Sequence, residues 1–318
     1  MTGMKANTIK IIIRKKLTNI AKSIEDSEIR GLFETNAIVS GGAITSMLLG
    51  EEINDYDIYF RTKEAAKAIA EYYVEQFNKM KPELKSPTFS NTTPVVKEEK
   101  RINIKGQEED RIVIYIKSAG IVSETQEEYQ YFETLTETKA NEFVESAFSY
   151  EDEEVIKDIK NLNSYRPVFF SDNAITLKNK TQLVIRFFGN PEEIHKNYDF
   201  VHCMCYYDFW KDSLVLPQEA LESILSKSLV YKGSLYPFAS LFRIRKFIAR
   251  GWRITAGQML KIIWQIGEID FKNTNMIYEQ LIGVDQAYMR ELIQAIDKGD
   301  VKNIDSTYIA KLVDEIFE

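Results

Sequence analysis

The sequence predicts an α+β fold: a small mixed β-sheet flanked by helices and enlarged by an insertion, with a helical domain after it. Three observations carry that expectation. Short apolar runs with strand periodicity recur in the first two thirds of the chain, at Ala37–Ser40, Tyr56–Phe60 and Gln182–Phe188. Segments with helical spacing lie between them. Beyond Pro217 the pattern reads as helix to the C-terminus.

Residues from about 8 to 34 place Ile12, Leu17, Ile20, Ile24, Ile29 and Leu32 at amphipathic spacing, predicting one or two helices. The strand Ala37-Ile38-Val39-Ser40 runs into Gly41-Gly42, and Ala43 to Leu49 then reads as a helix stopped by Gly50. Tyr56, Ile58 and Phe60 alternate with Asp55, Asp57 and Tyr59, the period of a strand. A helix is expected from Glu64 to Met80, and a loop from Lys81 to Arg101, where prolines and the run Ser90-Asn91-Thr92-Thr93 interrupt any period. Short strands are expected at Arg101–Ile104, Arg111–Lys117, Val168–Leu177, Gln182–Phe188 and Tyr198–Tyr207. The acidic stretch from Ser123 to Asp158 reads as solvated helical pieces. The expected organisation is N-terminal helices (1–34), a head (35–210) with an insertion at about 81–165, and a helical domain (211–318).

Composition narrows the function. A net charge of −7 disfavours nucleic-acid binding over the whole surface, so any such contact needs a local basic patch. The 2 cysteines, Cys203 and Cys205, stand two apart, too close for a loop-closing disulfide, and point to a reducing interior. The N-terminus lacks the apolar core of a signal peptide, and no stretch approaches the roughly 20 apolar residues of a membrane span, so a cytoplasmic protein without a membrane partner is expected. His195, His202, Cys203 and Cys205 are close in sequence, but on a strand His202 points away from both cysteines, so packing rather than zinc binding is expected of them.

The chemistry-bearing segment is the glycine turn followed by Asp55-Tyr56-Asp57. On a strand, Asp55 and Asp57 share a face, about 6–7 Å apart at Cα. Two carboxylates facing one way repel unless a cation lies between them. Mg²⁺ or Mn²⁺ takes oxygen ligands and leaves positions for phosphate oxygens. A Gly-Gly turn opening a helix lets backbone approach a phosphate and offers it N–H groups. Together these place a triphosphate beside a metal, the arrangement of metal-assisted phosphoryl transfer. Farther on, Arg243, Lys246 and Arg250 fall on one side of a predicted helix within the basic segment 241–253, a stripe fit for triphosphate or an RNA backbone.

Gly41-Gly42-Ala43, Leu48-Leu49-Gly50 and Asp55-Tyr56-Asp57-Ile58 resemble the signature of the polymerase-β-like nucleotidyltransferase superfamily. The spacing is most similar to the head of tRNA CCA-adding enzymes and bacterial poly(A) polymerases. Thr45-Ser46 stand where those heads carry Arg-Asp. A second block, Asp199-Phe200 through Met204 to Tyr207-Asp208, resembles the family segment that supplies a third acid. The basic segment 241–253 looks like the Arg-rich helix that follows the head. The resemblance implies Asp55, Asp57 and Asp199 as metal ligands and catalytic acids. It sets Ser40, Gly41, Gly42, Thr45 and Ser46 against an NTP, with Arg243 and Lys246 neutralising phosphate. The implied reaction moves a nucleoside monophosphate from an NTP to a hydroxyl, in RNA such as a tRNA end, in a protein, or in a second nucleotide. A degenerate head retained for binding is the non-enzymatic alternative.

Overall fold

The computed structural model describes residues 3–80, 92–102, 108–118, 165–171, 173–269 and Gln280. The chain divides into two compact units. The first comprises Met1–Ile121 and Ser146–Lys232, the second Val122–Glu145 and Gly233–Glu318. The N-terminal helices therefore group with the sheet, and the first unit extends to Lys232.

In the first unit, α1 (Ala6–Ser23) buries Ile9, Ile13, Leu17 and Ile20 along one stripe. Helix α2 (Ser27–Asn36) starts at Asp26, whose carboxylate accepts the Glu28 and Ile29 N–H groups at 2.8 and 3.1 Å. Such a cap contributes about 1 kcal/mol. The chain passes directly into β1 (Ala37–Ser40), turns into α3 (Gly42–Leu49), and reaches β2 (Tyr56–Phe60) and α4 (Lys63–Met80). Strands β3 (Thr92–Ile102) and β4 (Glu108–Ser118) follow, then β5 (Pro167–Phe170), β6 (Ala174–Leu177) and β7 (Thr181–Phe188). Helix α5 (Pro191–His195), a 3₁₀ turn (Val201–Cys203), β8 (Tyr206–Asp208), β9 (Ser213–Val215) and α6 (Gln218–Ser226) complete the series.

Seven strands form one mixed sheet in the order β5-β6-β7-β2-β1-β8-β9. β2 runs parallel to β7 and antiparallel to β1, while β1 is antiparallel to β8. The α+β expectation holds at this level.

Strand alternation divides the work of β2 between two faces. Ile58 and Phe60 are fully buried on the face that meets the long helices. Phe33 of α2 meets the Phe60 ring edge-on, with centroids 6.1 Å apart, and Lys16 of α1 lies 4.4 Å from the Tyr56 ring centroid. The other face carries Asp57 and Tyr59. Beside them β1 places Ser40 opposite Asp57 and Ile38 opposite Tyr59. Ile38, Tyr59 and Ile194 of α5 close a small core there, against Val184, Phe187, Tyr198 and Tyr206.

Three local expectations are corrected. Thr92 onward is not loop: β3 and β4 pair along their whole length as one hairpin, replacing the two short strands expected at Arg101–Ile104 and Arg111–Lys117. Cross-strand pairing overrides the turn-like composition, and Pro94 is tolerated because, among the described residues, this two-stranded sheet leaves each strand an open edge. The stretch Val168–Leu177 breaks into β5 and β6 at Ser171, whose hydroxyl accepts the Ala174 N–H at 3.1 Å. The strand expected over Tyr198–Tyr207 is instead a single bridge from Phe200 to Tyr231, the 3₁₀ turn, and then β8. Its apolar residues are buried from several directions, which gives an unbroken apolar run without a continuous ladder. The acidic stretch from Ser123 to Asp158 and the start of the expected loop, Lys81–Asn91, lie outside the described residues.

The second unit contains α7 (Pro237–Ala249) and α8 (Ala256–Ile266). Phe238, Ile244 and Trp252 are buried, and the Gln280 side chain accepts the Phe238 N–H at 3.3 Å while donating to the Leu235 carbonyl at 3.0 Å. Among the described residues no helix is long and apolar enough to cross a membrane.

Candidate functional site

The glycine turn and the carboxylate strand meet at one point. Gly41 caps α3 with φ +97° and ψ −155°, a backbone region essentially confined to glycine. A Cβ placed on Gly41 would lie 2.7 Å from Asp57 Oδ2. The absent side chain is therefore the space into which the Asp57 carboxylate fits, and two independent physical reasons select glycine at this position. Gly42, the first helical residue, is exposed, with open space where a Cβ would point. Gly41 brings no side chain of its own to cap α3, and the first turn of that helix lies beside Asp57. The Gly41 N–H itself is committed to the Cys203 carbonyl at 3.1 Å.

Asp55 sits in the coil just before β2, and both Asp55 and Asp57 are half-buried. The strand is held at its start by the Tyr56 N–H donating to the Lys180 carbonyl at 2.9 Å. Asn179 and Lys180, both with positive φ, make the tight β6–β7 turn that delivers that carbonyl.

Three expected nucleotide-contacting hydroxyls face inward. Ser40 is fully buried, and its Oγ lies 2.9 Å from His195 Nε2 and 3.1 Å from the Cys205 carbonyl. Thr45, 3% exposed, donates to the His202 carbonyl at 2.7 Å and so ties α3 to the 3₁₀ turn. Ser46 is buried as well. Ser40 and Thr45 position the turn through these bonds, while the exposed group at the turn is Gly42.

Asp199 is buried next to the 3₁₀ turn, and its carbonyl accepts the Lys232 N–H at 2.7 Å. It lies on no strand of the large sheet. Among the described residues no three His, Cys, Asp or Glu side chains are grouped as a cation site, so Asp55, Asp57 and Asp199 do not form a preassembled triad. The strand beside Asp57 on its other side is β7, which places Gln182 in register with Asp57 and carries no carboxylate along Thr181–Phe188. Asp208, on β8, is 2% exposed and pairs with Arg61 at 2.7 Å; it sits opposite Ile38, away from the glycine turn, and serves the sheet. Arg243, half-buried, and Lys246, exposed, lie on α7 in the second unit.

Sequence reasoning gave His195 only a packing role. It lies at the end of α5, its ring 5.0 Å from Tyr198 and 5.7 Å from Tyr206 by centroid. Tyr198 in turn lies 6.1 Å from Tyr59. Burial holds the Tyr59 and Tyr198 hydroxyls well above the usual phenol range, and the nearby Asp57 carboxylate pushes the same way. Burial lowers His195 to about 4, with Glu192 opposing the shift. A carboxylate, two phenols, a serine and an imidazole thus share one sheet face. No local motif announces this, because Ser40 and His195 are brought together only by the fold.

The sequence matches the Gabija anti-defense 2 family protein over residues 11–227, a stretch that includes all seven strands of the large sheet. It is also 20% identical over 258 residues to "Gabija anti-defense 2" of Bacillus phage SPbetaL7. That similarity covers 80% of this chain and 44% of the relative, so the chain spans less than half of the relative's length. With more than half of its own length matched, sheet and glycine turn included, the chain belongs to the Gabija anti-defense 2 family.

Proposed function

We propose that this chain is a metal-dependent nucleotidyltransferase that moves a nucleoside monophosphate from an NTP to a hydroxyl and releases pyrophosphate. The observation that carries the reading is the fit of the Asp57 carboxylate against the Gly41 Cα at the start of α3. A phosphate placed at Gly42 meets backbone N–H groups on one side and the Asp55–Asp57 strand on the other. Asp55 and Asp57 suit Mg²⁺ or Mn²⁺ arriving with the triphosphate, since Mg²⁺ is commonly held by one or two carboxylates plus substrate phosphates and water. When bound, the ion would neutralise phosphate charge and polarise the reacting phosphorus. The chain's own residues bind the triphosphate at Gly42, orient it across β2, and exclude water from the Ile38–Tyr59–Ile194 side.

RNA is the proposed acceptor, and the basic stripe of Arg243 and Lys246 on α7 is proposed to bind its backbone. The name of the phage relative concerns countering a defence, and extending that role to this chain adds a protein hydroxyl of the defence system as acceptor. A second reading, a binding protein built on the same head, is favoured by one observation: β7 offers Gln182 rather than an acid beside Asp57.

Titration calorimetry with each NTP, with and without Mg²⁺, tests the reading alongside Asp57→Asn. Metal-dependent binding by the natural protein, lost in the variant, together with label transfer from an α-labelled NTP, is the expected result. Binding that ignores both metal and the Asp57 change would sink the transferase reading. Binding without transfer to RNA or protein would leave the binding-protein reading standing.

A further inference from the structure

Nucleotidyl transfer requires the attacking hydroxyl to give up a proton. The strand beside Asp57 has no acid to take it, since β7 places Gln182 there. The opposite neighbour is different. β1 places Ser40 in register with Asp57, on the same face, and the Ser40 hydroxyl reaches His195. We propose that His195 is the proton acceptor of the transfer and that Ser40 is the positioning residue that fixes its ring; this rests on the nucleotidyltransferase reading above.

The proposal takes one of the two tautomers that the Ser40 contacts admit. Ser40 Oγ lies 3.1 Å from the Cys205 carbonyl and 3.4 Å from the Cys203 carbonyl, and both can only accept. With the serine proton on the Cys205 carbonyl, the 2.9 Å contact is His195 Nε2–H donating to Ser40 Oγ. Nδ1 then carries the lone pair. Tyr198 and Tyr206 pack around the ring and Glu192 lies on the same helix. The phenols are neutral at ordinary pH, so the imidazole is bordered by polar but mostly uncharged groups.

A buried imidazole lowered to about 4 has the proton affinity of an ordinary carboxylate. It can therefore take a proton as an aspartate would while adding no further negative charge to the sheet face that carries Asp57. In the step itself the acceptor oxygen bonds to the α-phosphorus. The bond from that phosphorus to the bridging oxygen breaks, and its electron pair leaves on pyrophosphate. The acceptor proton passes to Nδ1 of His195.

The test compares the natural protein with His195→Gln, measuring pyrophosphate release from ATP, GTP, CTP and UTP with Mg²⁺ in the presence of total bacterial RNA or total bacterial protein. Glutamine keeps an N–H to donate to Ser40 but cannot take up a proton. The expected result is a kcat lower by about 10²–10⁴, the usual worth of a general base, with an unchanged KM for the NTP. A variant that retains the natural kcat overturns the inference while leaving the transferase reading intact. A natural protein that neither binds Mg–NTP nor releases pyrophosphate overturns both. Imidazole ¹⁵N spectra of the natural protein supply a check independent of the variant's folding. A protonated Nε2 and bare Nδ1 at neutral pH support the proposal, and the reverse tautomer overturns it.

Discussion

The two faces of β2 differ more from each other than either differs from its surroundings. On one face, Ile58 and Phe60 are fully buried, with Phe33 of α2 against Phe60. On the other, Asp57 and Tyr59 lie beside Ser40, Tyr198 and His195, next to an exposed glycine. Adjacent residues of one strand thus face the helix-covered core on one side and the candidate site on the other. The helix-covered face holds large fully buried side chains of the core, while the site face combines a smaller core of Ile38, Tyr59 and Ile194 with the candidate site.

That division can be broken from either side. The largest effect is expected from Phe60→Ala, which empties a fully buried ring position and should lower stability by about 3–5 kcal/mol. Urea unfolding checks it, and NTP binding should be lost only in step with folding. A smaller loss, about 1–3 kcal/mol, is expected for Gly41→Ala, because alanine must adopt a glycine-only conformation and meets the Asp57 carboxylate. Here NTP binding should fall in the protein that remains folded. Gly42→Ala is the control, with open space at its Cβ and unchanged folding expected. Equal effects at the two glycines would remove the special status of Gly41.

The smallest effect concerns Lys16, which burial lowers to about 8. The unfolded chain holds this proton up to about 10.5. Between those values the unfolded state binds more protons, so stability rises with pH across the window. Lys16 is partly solvent-accessible, and its ammonium donates to the Asn179 carbonyl, so the discounted contribution is about 1 kcal/mol. Lys16→Met should flatten that rise in thermal scans between pH 8 and 10.5. A rise equal to that of the natural protein would assign it to other groups.

Local chemistry made part of this legible beforehand. The run from Ala37 through Gly50 to Phe60 could be read because its strand, turn, helix and strand are short and each is set by near neighbours. Long-range pairing hid the rest. Thr92–Arg101 reads as loop until β4 is beside it, and Asp199 reads as part of a strand until Phe200 is seen to pair with Tyr231. Ser40 looked like a ligand contact because it precedes two glycines, but its hydroxyl faces His195 and two carbonyls. The role given to Gln182 by its register with Asp57 has no trace in the local sequence.

The parallel pairing of β2 with β7 has a kinetic consequence. β1 and β2 are near in sequence and can zip soon after both leave the ribosome, whereas Tyr56 must wait for Thr181 to be synthesised. Closing so long a loop makes this the slow contact in assembly. During translation the Asp57 strand therefore spends an interval with one edge open, until the segment between β2 and β7 has emerged.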